Sequence, residues 1–375
     1  MAKNSNLGAA KAAKNDEFYT QFSDIQNEVN AYIDYNPDVF RDKTILLPCD
    51  DPEWSCFTKF FAQNFERFGL KKLISTSYAV ESKIVKTGYS PTLFEKNSPN
   101  FDELRTRIKG KKFILEKDTN NNGRIDIEDL QWEYMKGDGD FKSDEVKELR
   151  DEADIIITNP PFSLFREFLS WITEAKKQFL IIGNMNAITY KEVFPLLKDN
   201  IVWFGESIHS GDREFRVPDS YPLEAAGSRI DEYGNKYIRV KGVRWFTNLE
   251  HGRRHQPLQL MTMAENLKHS KHKEIKGKKS YDKYDNYDAI EVPYTDAIPS
   301  DYNEIMAVPI SFLDKYCPEQ FEILGVTQRN DDPYKIKKYT TQEYKNANDL
   351  NARGVIMVDG KPKPMYARLL IRKKQ

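Results

Sequence analysis

Asn159, Pro160, Pro161 and Phe162 are the residues whose types and spacing say most about chemistry. They follow directly on Ile155, Ile156, Ile157 and Thr158, a short apolar run of the kind buried on both faces of a parallel sheet. Each proline fixes its own φ and pushes the residue before it into extended conformations, so Asn159 and Pro160 are both stiffened. Neither proline has an N–H, and the turn therefore presents mainly acceptors. A planar base carrying an exocyclic amine is a ligand that such a turn suits. An aromatic amine is a poor nucleophile because its lone pair is delocalised into the ring. Accepting both of its protons, one on the Asn159 side-chain oxygen and one on the Pro160 carbonyl, favours a pyramidal nitrogen. Its lone pair can then turn toward an electrophilic methyl sulfonium. This is catalysis by positioning and electrostatics, with no covalent enzyme intermediate. Phe162 would stack on the base, and a base inside a duplex would have to be flipped out to arrive there. The purely structural reading is a proline-rich turn from strand to helix.

A turn of this kind needs a sheet to hold it, and the chain supplies alternating signals. Phe22 to Tyr35 predicts a helix and Thr44 to Leu47 a first strand, which ends in Pro48-Cys49-Asp50-Asp51-Pro52. Pro52 is placed to open the next helix. That helix carries Phe57, Phe60, Phe61, Phe65 and Phe68 on an apolar face and stops at Gly69. Lys72 to Ser77 predicts a second strand. Strands alternating with helices indicate βαβ units and a parallel sheet. The order breaks at about 82–135, which reads as an insertion containing strands at Lys112 to Glu116 and Gln131 to Met135. A helix from Ser143 to Glu152 leads into Ile155. Ser163 is placed to cap the following helix, whose Leu164, Phe165, Phe168, Trp171 and Ile172 form an apolar stripe. A strand at Phe179 to Ile182, a helix at Ile188 to Leu197 and a strand at Ile201 to Phe204 follow. Beyond Gly205 the alternation fades. The expected organisation is an α/β catalytic domain over 1–205 and a second region over 206–375.

Composition narrows the class. No apolar run approaches the roughly 18 residues of a membrane span, and 31% of the residues are charged, as on a polar surface. The three cysteines (Cys49, Cys56, Cys317) have neither disulfide nor metal spacing, so a reducing cytoplasm is expected. The net charge of -1 does not by itself point to nucleic acid. Local charge does: Lys268 to Lys279 holds six lysines and two histidines, and Arg368, Arg372, Lys373 and Lys374 end the chain. A solvated loop and a phosphate-contacting segment are both open readings of the lysine run. Arg253 and Arg254, between His251 and His255, read equally as DNA contacts or as a solvated loop. Trp54, Trp132, Trp171, Trp203 and Trp245 are expected in core or interface.

A second cluster has oxygen-ligand spacing. Asp118, Asn120, Asn122, Arg124 (through its carbonyl), Asp126 and Asp129 occupy positions 1, 3, 5, 7, 9 and 12 of an EF-hand-like loop, with Gly123 at the turn and Ile125 at the apolar position. Asp replaces Glu at the last position, and a strand precedes the loop where an EF-hand has a helix. Bound Ca2+ and a plain Asn-Gly turn between strands are the two readings.

Longer strings carry a resemblance. Asp16-Glu-Phe-Tyr-Thr-Gln21, Cys49-Asp-Asp-Pro52, Lys71-Lys-Leu-Ile74, Gly137-Asp-Gly-Asp-Phe141, Thr158-Asn-Pro-Pro-Phe-Ser-Leu-Phe-Arg166, Ile188-Thr-Tyr-Lys-Glu-Val193 and Lys283-Tyr-Asp-Asn-Tyr-Asp-Ala-Ile290 resemble adenine-N6 DNA methyltransferases of the EcoRI modification-methylase type, over most of the chain. The resemblance implies a Rossmann-like fold with a mostly parallel seven-stranded sheet and a C-terminal target-recognition region. It implies S-adenosylmethionine as cofactor. Phe18, Tyr19 and Thr20 match the motif that meets its methionine end, Cys49, Asp50 and Asp51 the loop after the first strand, and Asp140 and Phe141 the pair that meets its adenine. It assigns catalysis to Asn159, Pro160, Pro161 and Phe162. Most methyltransferases have a glycine-rich loop after the first strand; Pro48 to Pro52 has no glycine. The ribose-binding acid is not identified, with Glu81 near the right place. Further implications are a double-stranded DNA substrate, GAATTC or a relative as target, a monomer, no membrane, and a setting beside a cognate restriction endonuclease in a bacterium. Cytosine-N4 methylation, RNA or protein amide methylation and a DNA-binding relative without turnover are the competing readings.

Overall fold

The run Thr44–Leu47 has apolar side chains on both faces, and so does Ile155–Thr158; each therefore has to lie inside a sheet covered on both sides. In the computed structural model, which describes residues 19–52, 55–79, 99–209, 212–217, 223, 227–328 and 332–374, both strands are buried along their whole length. The chain divides into two compact units, 1–185 with 205–251, and 186–204 with 252–375.

The first unit contributes to the central sheet β1 (Thr44–Leu47), β2 (Lys72–Ser77), β3 (Lys111–Leu115), β4 (Gln131–Tyr134), β5 (Ile155–Thr158), β6 (Gln178–Asn184) and Val243–Thr247. These seven lie in one sheet in the order β4-β3-β2-β1-β5-β6 and then Val243–Thr247. β2, β1, β5 and β6 run parallel at the centre, and the flanking pairs are antiparallel. This is the expected Rossmann-like α/β architecture. Asp154 fixes the start of β5 against β1: its carboxylate accepts from Thr44 N at 2.8 Å and its own N–H donates to Thr44 O at 2.9 Å. The two C-terminal ends then fall side by side.

The elements before the catalytic turn follow the sequence closely. The helix Phe22–Tyr35 and strands β1 and β2 have the expected limits. Phe57, Phe60, Phe61, Phe65 and Phe68 are all buried, and Gly69 ends that segment in the left-handed conformation. Pro52 does not open the helix: Ser55 caps it, accepting from Phe57 N at 3.0 Å, and the helix begins at Cys56. Ser163 is not a cap either. A single tight turn, Phe162–Leu164, follows the prolines, and the helix Phe165–Glu174 starts from Leu164 without a side-chain cap. The helix expected over Ile188 to Leu197 is two short pieces, Met185–Thr189 and Phe194–Lys198.

The boundary expected at 205 is displaced. Residues 205–251 belong with the first unit because Val243–Thr247 pairs with β6 over five residues. Buried Glu28 ties the same segment to the first helix. Its carboxylate accepts from the N–H groups of Glu206 (2.9 Å) and Ser207 (2.6 Å) and from the hydroxyl of Tyr32 (2.7 Å). A Cβ at Gly205 would collide with that carboxylate. A small antiparallel sheet, Asp212–Val217 with Lys236–Lys241 and Arg229–Ile230, completes the unit.

The second unit has its own sheet, ordered Ile290–Glu291, Met306–Pro309, Arg368–Lys373 and Phe321–Val326, and a hairpin of Val355–Val358 with Lys361–Pro364. Trp132, Trp171, Trp203 and Trp245 are buried as expected; Trp54 lies outside the described residues. No helix among the described residues is long and apolar enough to cross a membrane.

Candidate active site

Parallel strands collect loops at their C-terminal ends, and three of the sequence-predicted clusters meet there. Thr158, the last residue of β5, donates its hydroxyl to Pro48 O at 2.8 Å, so the catalytic turn is fastened to the loop after β1. Asn159 follows, half-buried with its Oδ1 inside the protein. Pro160 is buried, and Pro161 and Phe162 are partly exposed. Phe162 packs edge-on against Phe215, with ring centroids 6.3 Å apart.

The glycine-free loop after β1 still makes the turn that glycine usually makes. Cys49 takes φ of 61°, in the region glycine normally occupies, and its N–H donates to Thr76 Oγ1 at 3.2 Å. Asp50 N donates to Thr76 O at 2.6 Å. The Asp50 carboxyl is turned inward, 6% exposed, among the hydroxyls of Ser55 and Thr58, and burial pushes its pKa up to about 8. Cys49 and Asp51 are partly exposed.

Gly137 to Phe141 closes on the end of β2. Ala79 N donates to Asp138 O at 2.8 Å, Gly110 N to Gly137 O at 3.0 Å, and a Cβ on Gly139 would strike Ser77 O. Tyr78, the first residue beyond β2, donates its hydroxyl to Asp138; burial together with the charges of Asp138 and Asp140 pushes its pKa up to about 12. Asp140 is half-buried, and Phe141 is in the core against Phe168 (5.1 Å) and Trp171 (5.6 Å) on the helix that follows the catalytic turn. The Asp140–Phe141 pair therefore divides its work: Phe141 anchors the loop, and Asp140 stands at its edge.

The N-terminal motif joins through an element that carries no signal in the sequence. Tyr19 bridges to Arg216, Tyr19 N to Arg216 O at 2.9 Å and Arg216 N to Tyr19 O at 3.2 Å. The strand Asp212–Val217 thus presents Phe215 to Phe162 and Arg216 to Tyr19. Thr20 is 4% exposed, and its hydroxyl has no hydrogen-bond partner among the described residues. Phe18 and Glu81 lie outside the described residues. Tyr78, Asp138, Phe215 and Arg216 are the residues sequence reasoning missed. Tyr78 had a signal, its place directly after β2, and Asp138 lay inside a string already singled out; the strand Asp212–Val217 had none.

The calcium reading is corrected. Asp118, Asn120, Asn122, Asp126 and Asp129 aim their oxygens at backbone N–H groups. Asp118 accepts from Gly123 N (2.8 Å), Asn120 from Asn122 N (3.0 Å) and Asn122 from Arg124 N (2.8 Å). Asp126 and Asp129 form a reciprocal cap, and Asp129 also accepts from Thr119 N at 2.7 Å. The carboxylates replace missing main-chain partners in a turn between β3 and β4, and among the described residues no group of acids, histidines or cysteines is placed to hold a metal.

Several basic residues are likewise committed to structure. Arg368 pairs with buried Glu291 at 2.7 Å and Arg372 with Glu322 at 2.6 Å, while Lys373 donates to Ser300 O at 2.7 Å. Arg254 is buried, its guanidinium 3.7 Å from the Trp203 ring centroid and 2.7 Å from Asn200 Oδ1. Arg253 donates to Asp314 O at 3.1 Å. His251 is buried against Tyr32, and His255 pairs with Glu319 at 2.9 Å. In the lysine run, Lys271 and Lys278 have carboxylate partners, and Lys268, Lys273, Lys276 and Lys279 are exposed.

A proline-stiffened acceptor turn beside the loop of the neighbouring parallel strand fits amine methylation, and comparison with known proteins agrees. The model of the EcoRI adenine-specific methyltransferase family matches residues 6–374. The chain belongs to that family. It is 43% identical to the Type II methyltransferase M.EcoRI of Escherichia coli over 86% of this chain and 89% of that protein. It is 34% identical to M.MgeORF184P of Mycoplasma genitalium over 98% of each chain. With M.MpnI of Mycoplasma pneumoniae it shares 32% over 98% of this chain and 97% of that one. No solved structure matches at comparable stringency. The chain is a site-specific DNA methyltransferase acting on adenine, which sets aside cytosine-N4 and amide methylation, and its family implies S-adenosylmethionine. The residues present fit that cofactor: buried Thr20 Oγ1 awaits a partner, and the half-buried Asp138 and Asp140 offer carboxylate acceptors to amine and hydroxyl donors.

Proposed function

We propose that Asn159 and the Pro160 carbonyl hold the two N6 protons of a flipped-out adenine in duplex DNA, within GAATTC or a closely related site, while Phe162 stacks on its ring. When bound, S-adenosylmethionine supplies the electrophilic methyl group. Tyr19, Thr20, Cys49, Asp51, Tyr78, Asp138 and Asp140 would hold it. Accepting both protons localises the nitrogen lone pair, and the prolines fix the acceptors before the base arrives, so little reorganisation is needed at the moment of reaction. The hydrogen bond from Thr158 to Pro48 O carries this reading most directly, because it sets the acceptor turn beside the loop assigned to the cofactor. The proposed target rests on the identity with M.EcoRI.

The second unit, with the exposed Lys268, Lys273, Lys276 and Lys279, would supply much of the contact to DNA, and the protein would act as a monomer in the bacterial cytoplasm beside a cognate endonuclease. The deciding experiment incubates the protein with methyl-labelled S-adenosylmethionine and duplexes with or without GAATTC, then digests the DNA and identifies the modified base. N6-methyladenine confined to the GAATTC duplex is expected. Label in every duplex alike would reject the target, and no label in any would reject the assignment of roles.

A further inference from the structure

S-adenosylmethionine carries a carboxylate beside an ammonium and a sulfonium. The residues assigned to it above include Asp51, Asp138 and Asp140, which suit the two cationic groups, and no cation to meet the carboxylate. A cation stands next to the N-terminal motif. Tyr19 and Arg216 exchange both main-chain hydrogen bonds, and on its other side Arg216 is directly opposite Tyr237. Residues paired in this way between antiparallel strands project on the same face, so the Arg216 side chain lies in one row with those of Tyr19 and Tyr237. The other arginines of this small sheet have acids. Arg213 is 4.0 Å from Asp24, Arg229 is 2.5 Å from Glu214, and Arg239 is 4.0 Å from the same Glu214. Asp231 takes the Tyr237 hydroxyl at 3.2 Å. Partly buried Arg216 has no carboxylate partner among the described residues.

The same guanidinium acts on the second assigned element. Ser55 N donates to Asp51 O at 2.7 Å, which ties the loop after β1 to the helix Cys56–Gln63. Burial raises the pKa of the Cys56 thiol at the start of that helix, and the charges of Lys59 and Arg216 draw it down. A partly buried cation without a counter-charge is costly in a folded chain, and this one stands between the N-terminal motif and the helix that follows the β1 loop. We propose that Arg216 binds the carboxylate of S-adenosylmethionine, its planar fork of donors matching the two carboxylate oxygens. This rests on the assignment of Tyr19, Thr20 and the loop after β1 to the cofactor. With Arg216 included, the site answers each charge of the cofactor's amino-acid end with its opposite.

The test measures by calorimetry the binding of S-adenosylmethionine and of decarboxylated S-adenosylmethionine, which lacks only the carboxylate. The proteins are the wild type, Arg216→Gln, Arg216→Lys and Lys59→Gln. Glutamine keeps the main-chain bonds to Tyr19 and removes the charge. Arg216→Gln is expected to bind S-adenosylmethionine roughly 10- to 100-fold more weakly than the wild type does. It should bind the decarboxylated compound within about twofold of the wild type, which also shows that the variant is folded. Arg216→Lys should fall between, because an ammonium keeps the charge without the fork. Lys59→Gln, which removes the other cation beside Cys56, should keep the wild-type preference for the carboxylate. Equal losses for both ligands in Arg216→Gln and Arg216→Lys, or S-adenosylmethionine affinity unchanged in Arg216→Gln, overturn the proposal and leave the cofactor assignment standing. Loss of the preference in Lys59→Gln alone overturns it likewise. Weaker binding of a GAATTC duplex by Arg216→Gln, with cofactor affinity unchanged, would make Arg216 a phosphate contact and overturn it too. A wild type that binds neither ligand would overturn the cofactor assignment as well.

Discussion

At Asn159 the whole catalytic proposal comes down to one amide oxygen held at the end of a buried strand. Asn159→Ala removes that acceptor and leaves the prolines, the sheet and the cofactor loop intact. Turnover is expected to fall by roughly 100- to 1000-fold, the range seen when one preorganised polar group is removed from an active site. S-adenosylmethionine binding should be retained, so single-turnover rates and calorimetry on the same variant separate the two effects. Asp50 makes a second prediction, in stability. An unfolded aspartate ionises near 3.8 and the folded one at about 8, so the folded chain holds a proton that the unfolded chain has lost between those values. The raised value contributes stability that is full below 3.8 and is lost as pH rises to about 8. The difference in unfolding free energy between wild type and Asp50→Asn should therefore decline across that window and level off above it; a constant difference would mean that Asp50 is ionised in the fold. Residues of this scale differed in how readable they were. Asn159 announced itself because two prolines and a buried strand restrict what can follow them. Tyr78 did not, and Asp50 was read with the cofactor loop although its carboxyl is buried, since whether a tyrosine or an acid faces inward depends on neighbours, here Asp138 and Thr58, that lie elsewhere in the sequence.

Elements were legible where a local pattern fixed them. The βαβ alternation placed β1, β2, β5 and β6 because apolar runs buried on both faces leave few alternatives. The Asp118–Asp129 loop was ambiguous for the opposite reason: the same Asp, Asn and Gly spacing serves a cation or serves the backbone N–H groups of a tight turn. The hydrogen bonds show the second use, and a prediction follows from it. Asp129→Ala, which removes the acceptor for Thr119 and Asp126, should lower the melting temperature, and calcium or a chelator should leave the wild-type value unchanged; stabilisation by calcium would restore the cation. The strand Asp212–Val217 is the clearest case of an element with no sequence signal and a consequence for the site. Arg216 donates its N–H to Tyr19 O at 3.2 Å and faces Tyr237 in the neighbouring strand. Arg216→Pro removes the N–H, and with it one of the two bonds that fasten the N-terminal motif. Weaker S-adenosylmethionine binding is expected, with the far-ultraviolet dichroism of the native protein. Unchanged affinity would detach the N-terminal motif from the cofactor site.

For the whole molecule, sequence alternation and folding divide the chain at different places. The alternation ends at 205, and a chain cut there would keep every strand of the βαβ pattern. It would lose Val243–Thr247, which covers β6 from Asn184 to Leu180, and the Glu206 and Ser207 donors that satisfy buried Glu28. β6 carries Phe179, Leu180, Ile181 and Ile182, all fully buried in the intact protein. As an uncovered apolar edge it would be a template for strand pairing between molecules, and Glu28 would be left with Tyr32 as its remaining hydrogen-bond partner at a cost of about 1–3 kcal/mol for each lost donor. The fragment 1–205 should therefore aggregate and show no cooperative unfolding. A fragment 1–251 keeps both the covering strand and the Glu28 donors, and it should remain dispersed longer at the same concentration in light scattering. A cooperative, monomeric 1–205 fragment would show that the catalytic fold ends where the alternation does, and that the segment 206–251 belongs to DNA recognition instead of to the sheet that carries Asn159.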